Sequence, residues 1–388
     1  MRLLKKLGWM LLVSLIVFNL GIIIMGKTYF YTAIRKTYLS GQGGPGIYDL
    51  TKFATREIPT GTPKPWVKSA DYNTGKINPE ELEYLKRIKT KSFVVLKGGK
   101  LFHEQYFDGH DANTLSNSFS MAKSIVAMLV EFAVKDGLIK DISDPVEQYL
   151  PEFNKSGFEK ITIAHLLSMS SGLSWSESGG NPFSDNAEAY YGADLKTLVE
   201  KMTPESEPGI EFIYKSGNTQ ILGFLVERVT GKTLAEYASL KLWQPLGAEH
   251  ASFWSLDKEK GVEKAYCCWY ATATDFARFG QMLLQEGYFN DRQILDSNFV
   301  QDARTPAPLT VPDAGDNVRY SKRSFWLLQY KGRHYYYLRG ILGQYIIILP
   351  EENAVVVRLG QKREDSDESG HPVDIYHYLD IAKDLLNK

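Results

Sequence analysis

The first twenty-six residues constrain this chain more than any other segment. From Leu7 to Gly26 it reads LGWMLLVSLIVFNLGIIIMG, with only Ser14 and Asn19 polar. As a helix that run spans about 30 Å, one hydrocarbon thickness. Arg2, Lys5 and Lys6 stand before it, and a basic flank ahead of an apolar run keeps the N-terminus in the cytoplasm and carries the rest across. A cleaved signal peptide is the competing reading. It wants a shorter apolar core and a small-x-small cleavage site, whereas Ile22 to Met25 is bulky throughout. The expectation is an anchor over residues 1–26, set in the inner membrane of a bacterial cell envelope, with everything after it outside the cytoplasm.

The chain has 388 residues in all, so the part beyond the anchor is long enough for one large domain or two or three smaller ones. With 45 Lys and Arg against 46 Asp and Glu, there is no basic excess to neutralise phosphates, which excludes nucleic acid as the main partner. Cys267 and Cys268 are neighbours; a bond between adjacent residues is expected to be too strained, so no disulfide framework is expected. Residues 27–77 read as a tether that links or wraps, because GQGGPG at Gly41 to Gly46 and then Pro59, Pro63 and Pro65 break every regular period. Regularity starts at Asn78. NPEELEYLKRIKT has the Asn-Pro opening and apolar spacing of an amphipathic helix, and SFVVLKGGKLFHEQYF alternates around Gly98-Gly99 as a β-hairpin does. The charged run Lys362 to Ser369 reads as a solvated loop.

SFSMAKSIVAMLVEFAVKDG, from Ser118 to Gly137, predicts a long apolar helix ending at a glycine cap. Ser120 and Lys123 share its first turn, three residues apart. A serine hydroxyl becomes a nucleophile when a base takes its proton, and a lysine desolvated by apolar neighbours can act as that base. The spacing alone is weak. With 27 serines and 31 lysines, chance supplies about two Ser-x-x-Lys matches, and two occur; the other, Ser255 to Lys258, lies in a charged stretch with no apolar helix after it. Taken alone, Ser120 could equally be an N-cap serine beside a surface lysine.

Three further segments come in order: ITIAHLLSMSSGLSW from Ile161, PGIEFIYKSGNTQILGFLVERVTGKTLAEYASLKLWQPLG from Pro208, and WYATATDFARFGQMLL from Trp269. With the Ser120 motif they resemble the serine β-lactamase and penicillin-recognising superfamily, in its class C-like branch, which also holds esterases, D-amino-acid peptidases and aminohexanoate-oligomer hydrolases. The string YKSGNTQ looks most like the last group. The resemblance covers residues 78–388. It implies an α/β (α+β) fold, a mainly antiparallel sheet flanked by helices with an all-helical subdomain and the serine at their junction.

The resemblance also implies roles. Ser120 is the nucleophile, Lys123 its partner, and Tyr214 the phenol of a Tyr-x-Asn/Ser element that moves a proton to the leaving group; Ser216 ends that element and contacts substrate. Where relatives present Lys-Thr-Gly or His-x-Gly, the best placement here is Leu338-Arg339-Gly340. Gly340 then admits close backbone approach, the Ile341 N–H joins that of Ser120 as an oxyanion hole, and Arg339 supplies a cation. Loss of the usual lysine weakens any claim to β-lactam or D-Ala-D-Ala recognition. The segment Pro182 to Leu195 is expected to cover the pocket, with Tyr190 or Tyr191 touching substrate, and Cys268, beside Cys267 and Trp269, to form pocket wall.

No cofactor or metal is expected. A His-Glu-x-x-His site starting at His103 would need its second histidine where Phe107 stands, His165 reads as structural, and Gly231-Lys232-Thr233 lacks the first glycine of a phosphate loop, holding Val226 there. No G-x-S-x-G elbow occurs. The expected function is cleavage of a small amide or ester through an acyl-serine. The alternative is a penicillin-binding or D-Ala-D-Ala carboxypeptidase-like protein, or a cell-wall sensor that does not turn over.

Overall fold

The computed structural model describes residues 2–311 and 319–387. Its helices are α1 (Arg2–Ile24), α2 (Tyr29–Lys36), α3 (Pro79–Arg87), α4 (Met121–Lys135), α5 (Ile163–Leu167), α6 (Asp185–Tyr191), α7 (Leu195–Glu200), α8 (Ser216–Thr230), α9 (Leu234–Ala238), α10 (Ala273–Leu284), α11 (Ser297–Ala303) and α12 (Asp374–Leu386). Its strands are β1 (Thr55–Ile58), β2 (Thr90–Lys97), β3 (Lys100–Tyr106), β4 (Ser116–Asn117), β5 (Ser252–Ser255), β6 (Trp269–Ala271), β7 (Tyr288–Phe289), β8 (Arg292–Gln293), β9 (Trp326–Tyr330), β10 (Arg333–Gly340), β11 (Gln344–Leu349) and β12 (Ala354–Gly360).

Six strands in the order β3-β2-β12-β11-β10-β9 make an antiparallel sheet. Its central strands are apolar at nearly every position because both faces are covered. Val94, Leu96, Ile346, Ile348, Val355 and Val357 point to one side, into a core shared with α4, α8 and α10. Phe93, Val95, Tyr345, Ile347 and Val356 point to the other, against Tyr84 and Leu85 of α3 and Tyr378 and Leu379 of α12. The period-2 alternation of one continuous apolar run therefore feeds two cores. Gly280 brings α10 tight onto the sheet, since a β-carbon there would stand 2.4 Å from Val355 Cγ1.

Local sequence signals account for the edges of these elements. Asn78 caps α3 by accepting from Glu80 N, with Pro79 at the first helical position. The β2–β3 hairpin turns on Gly98 and Gly99, both at positive φ. α4 stops at Lys135, and Gly137 takes the left-handed conformation just beyond.

A second sheet, ordered β1-β5-β6-β4, carries the segment leading to Ser120. Residues 27–77, expected to link or wrap, lie against the domain as an arm: β1 pairs with β5, Asn117 N donates to Ile47 O, and Ile47 and Ile58 are wholly buried. Gly and Pro there break regular structure but still let the arm pack. One sequence expectation changes nearby, since Cys267 and Cys268 are bonded to each other. The objection from strain assumed an ordinary backbone; Cys268 instead takes φ +70°, within a turn fixed by Cys267 N donating to Lys264 O and Ser255 N donating to Cys268 O. α1, with mean hydropathy 2.5, is long and apolar enough to be a membrane anchor or a signal sequence, and most of its side chains are exposed.

Candidate active site

At the junction of the large sheet and the helical side lies a cavity of about 660 Å³. Ser120, Tyr214, Ser216, Tyr190, Tyr191, Arg339, Gly340 and Ile341 all line it. Cys267 lines it too, whereas Cys268 is buried behind the wall.

Ser120 stands at the N-cap position of α4, yet its hydroxyl makes no capping bond. Lys123 Nζ donates to Ser120 Oγ at 3.1 Å and to the Tyr266 carbonyl at 3.0 Å. That answers the capping alternative: the serine oxygen is held for its lysine and not for the helix end. Lys123 is buried, and among the described residues no carboxylate pairs with it. Its other neighbours are rings, with Nζ 5.0 Å from the Tyr214 centroid and 5.5 Å from that of Tyr266. Just before the serine, Phe119 holds φ +43°, an uncommon conformation for a bulky residue. It is held there by Phe119 N donating to Asn117 Oδ1 and Ser118 N donating to Trp269 O.

Tyr214 leads into α8 and is clamped by aromatic neighbours, its ring 6.0 Å from Tyr320 and 5.7 Å from Trp326. Ser216 opens α8, and both its N–H (2.6 Å) and its hydroxyl (2.7 Å) donate to Glu177. Glu177 also accepts from Trp175 Nε1 and lines the cavity. It is a site residue that the sequence reading missed; nothing in the spacing of WSESGG marks it. Lys215 turns away, donating to Leu173 O.

The opposite wall is the end of β10 and its turn. A β-carbon on Gly340 would meet the Ser118 carbonyl oxygen and the Phe119 side chain, so the strand can approach the nucleophile segment only at glycine. Among the described residues, no hydrogen bond uses the N–H of Ser120 or of Ile341. The turn is pinned from behind by Arg358 of β12, wholly buried, whose guanidinium donates to the carbonyls of Leu342, Gly343, Lys362 and Ile88. Gln344 Nε2 adds a bond to Ile341 O. Arg339 lies flat on Trp326, Cζ 3.3 Å from the ring centroid, and donates to Gly370 O.

The third wall joins α6 to the arm. Tyr190 and Tyr191 pack edge to face at 4.9 Å. The Tyr190 hydroxyl donates to Asp49 Oδ2 and is spent there, while Ala33, Thr37, Tyr38 and Pro45 come from the arm. Chemically, the site offers a serine oxygen with a buried amine beside it, a phenol, two unused backbone donors and a mixed polar and apolar wall. No group of three or more His, Cys, Asp and Glu among the described residues is arranged to hold a metal.

Comparison with known proteins places the chain in a family and a fold. A profile of the Beta-lactamase family matches residues 82–378. The 6-aminohexanoate-dimer hydrolase of Paenarthrobacter ureafaciens is 25% identical over 322 residues, covering 79% of this chain and 81% of that one. A Bacillus anthracis structure described as a 6-aminohexanoate-dimer hydrolase superimposes with TM-score 0.74 at 23% identity, covering 88% and 92%. The octameric penicillin-binding protein homologue from Pyrococcus abyssi gives 0.62 at 20%, covering 81% and 78%.

Proposed function

From the premise that the chain belongs to the Beta-lactamase family of serine hydrolases, we propose that it is a class C-like amidase or esterase working through an acyl-Ser120 intermediate. The observation that carries this is the 3.1 Å contact from buried Lys123 Nζ to a Ser120 hydroxyl that is free of capping and faces the cavity.

Lys123 takes the Ser120 proton as Oγ bonds to the carbonyl carbon of an amide or ester. The negative oxygen that results is stabilised by the N–H groups of Ser120 and Ile341. The carbon–nitrogen or carbon–oxygen bond then breaks, and Tyr214, beside Lys123, delivers the proton that the leaving amine or alcohol needs. Water attacks the acyl-serine, passes its proton back along the same groups, and a carboxylic acid leaves. Glu177 keeps Ser216, and with it the first turn of α8 after Tyr214, in register. Arg339 stays available to a polar end of the substrate.

Alkyl fluorophosphonate labelling tests the reading: Ser120 becomes modified, and a Ser120→Ala chain does not. A chain that stays unlabelled while a related enzyme reacts would sink the hydrolase assignment. The bond cleaved is that of an amide or ester in a small-molecule substrate, as the 6-aminohexanoate-dimer hydrolase and esterase relatives suggest. We place the catalytic domain outside the cytoplasm, held to the inner membrane by α1.

A further inference from the structure

The cavity and the membrane helix share their supports. Near the C-terminal end of α1, Phe18 lies 5.9 Å from Phe30 of α2, Asn19 Oδ1 accepts from the Tyr31 hydroxyl at 2.8 Å, and Ile22 is buried. α2 in turn grips α6 and the loop before it. Phe30 stacks on Phe183 at 5.5 Å with the ring planes 9° apart, the Tyr29 hydroxyl donates to Pro182 O, and Lys27 pairs with Glu188 at 2.5 Å. These same two helices wall the catalytic cavity, through Ala33, Ala187, Tyr190 and Tyr191.

If α1 spans the bilayer, the contacts to Phe18 and Asn19, about two turns before Gly26, set α2 and the Phe183 edge of α6 into the boundary between headgroups and acyl chains. The exposed side chains there suit that place. Tyr31, Tyr38, Leu39 and Phe183 are apolar or aromatic and open to solvent, Ile341 is exposed at the cavity itself, and Arg35 is exposed between them. Aromatic rings with a nearby cation are the side chains that settle at the headgroup level.

We propose that the substrate is a membrane-resident amphiphile, a carboxylic ester or amide bearing a long alkyl chain, that enters the Ser120 cavity from the bilayer surface along the α2–α6 wall. This rests on the serine hydrolase reading and names the substrate class for that same site. The bonds made and broken are those already given, with a fatty acid or a long-chain amine or alcohol among the products.

The experiment uses the full chain reconstituted in vesicles of phosphatidylethanolamine and phosphatidylglycerol. 4-Methylumbelliferyl palmitate is dissolved in the same vesicles, and 4-methylumbelliferyl butyrate is supplied in water. The variant carries a Gly-Ser segment of about 20 residues between Gly26 and Lys27, which lets the domain stand off by roughly 25 Å. The unaltered chain is expected to cleave both esters. Insertion is expected to leave butyrate turnover within about twofold and to cut palmitate turnover by about tenfold, because the local supply of embedded substrate is lost. Phe30→Ser, which removes the ring between Phe18 and Phe183, is expected to show the same selective loss at about threefold. Palmitate turnover that survives insertion overturns the proposal, as does a native chain that cleaves butyrate but not embedded palmitate. A parallel fall of both esters in both variants also overturns it, since the arm would then serve only to hold the fold. A native chain inert to both esters and to fluorophosphonate instead removes the hydrolase reading beneath it.

Discussion

A β-carbon added to Gly340 would stand 2.3 Å from the Ser118 carbonyl oxygen. The turn that offers the Ile341 N–H and the segment that presents Ser120 are therefore fitted to each other by the absence of one carbon atom. Gly340→Ala should push the two apart by a few tenths of an ångström or more and misplace one oxyanion donor. The expected cost is about 10²-fold in kcat/KM, with the circular dichroism spectrum unchanged; near-native turnover would show that the Ile341 N–H plays no part.

Lys123→Ala should abolish acylation while leaving the cavity. Loss of the base is expected to lower the rate of fluorophosphonate labelling by about 10³-fold or more. Because the lysine has no carboxylate partner among the described residues, its removal orphans no buried charge but takes a donor from the buried Tyr266 carbonyl, so the melting temperature should fall by no more than a few degrees. Comparable labelling in the variant would assign the proton transfer elsewhere.

Glu177→Gln tests the support of Ser216. The carboxylate accepts three donors, from Ser216 N–H, the Ser216 hydroxyl and Trp175 Nε1, and an amide turns one of its two acceptor oxygens into a donor group. kcat is expected to drop about tenfold with KM nearly constant, since the group positions and does not itself react. Glu177→Asp, which restores the acceptors on a shorter arm, should recover part of that loss.

Arg358→Met should be among the most destabilising single changes in the domain. It strips donors from the buried carbonyls of Ile88, Leu342, Gly343 and Lys362, at a cost of about 3 to 5 kcal/mol. Thermal unfolding reads it as a fall of several degrees. Ester turnover at low temperature should fall as well, because the turn beside Ile341 loses its pin.

Acid should weaken the fold in a defined window. Burial pushes His371 from its ordinary 6.5 down to about 4, and nearby Arg339 acts in the same direction; burial likewise lowers His110 to about 4. Between pH 6.5 and 4 the unfolded chain takes up these protons and the folded one does not. Stability is thus complete above 6.5 and declines as the pH falls, by about 1.4 kcal/mol per pH unit for each histidine. His371→Asn should flatten the melting-temperature profile in that window; an unchanged slope would place the acid response on other groups.

The sequence made α4 and its place at the cavity readable because helix-cap, helix-period and motif signals coincide on the same stretch from Ser118 to Gly137. The hairpin at Gly98-Gly99 and the start of α3 were legible for the same reason, each being decided by neighbours along the chain. Glu177, Arg358 and the carbonyl of Tyr266 were not. Their roles come from contacts with residues 39, 16 and 143 positions away, and no local spacing encodes those meetings. Cys267 and Cys268 show the limit from the other side, where an argument from ordinary backbone geometry failed because Cys268 leaves it. That residues 27–77 link or wrap was legible, but how they wrap was not, because Gly and Pro forbid long helices and strands and still leave room for a four-residue β1 whose partner is the distant β5.

The way the arm is built into the second sheet decides where the enzyme can be shed alive. A protease, or an experimenter trimming the chain for crystals, has a safe window only between the end of α1 at Ile24 and the start of α2 at Tyr29. A cut at Asn78, where family resemblance begins, would take away the Ile47 carbonyl that braces Asn117 and the strand that pairs with β5. The severed domain would keep Ser120, Lys123 and Tyr214 and lose the scaffolding that aims them.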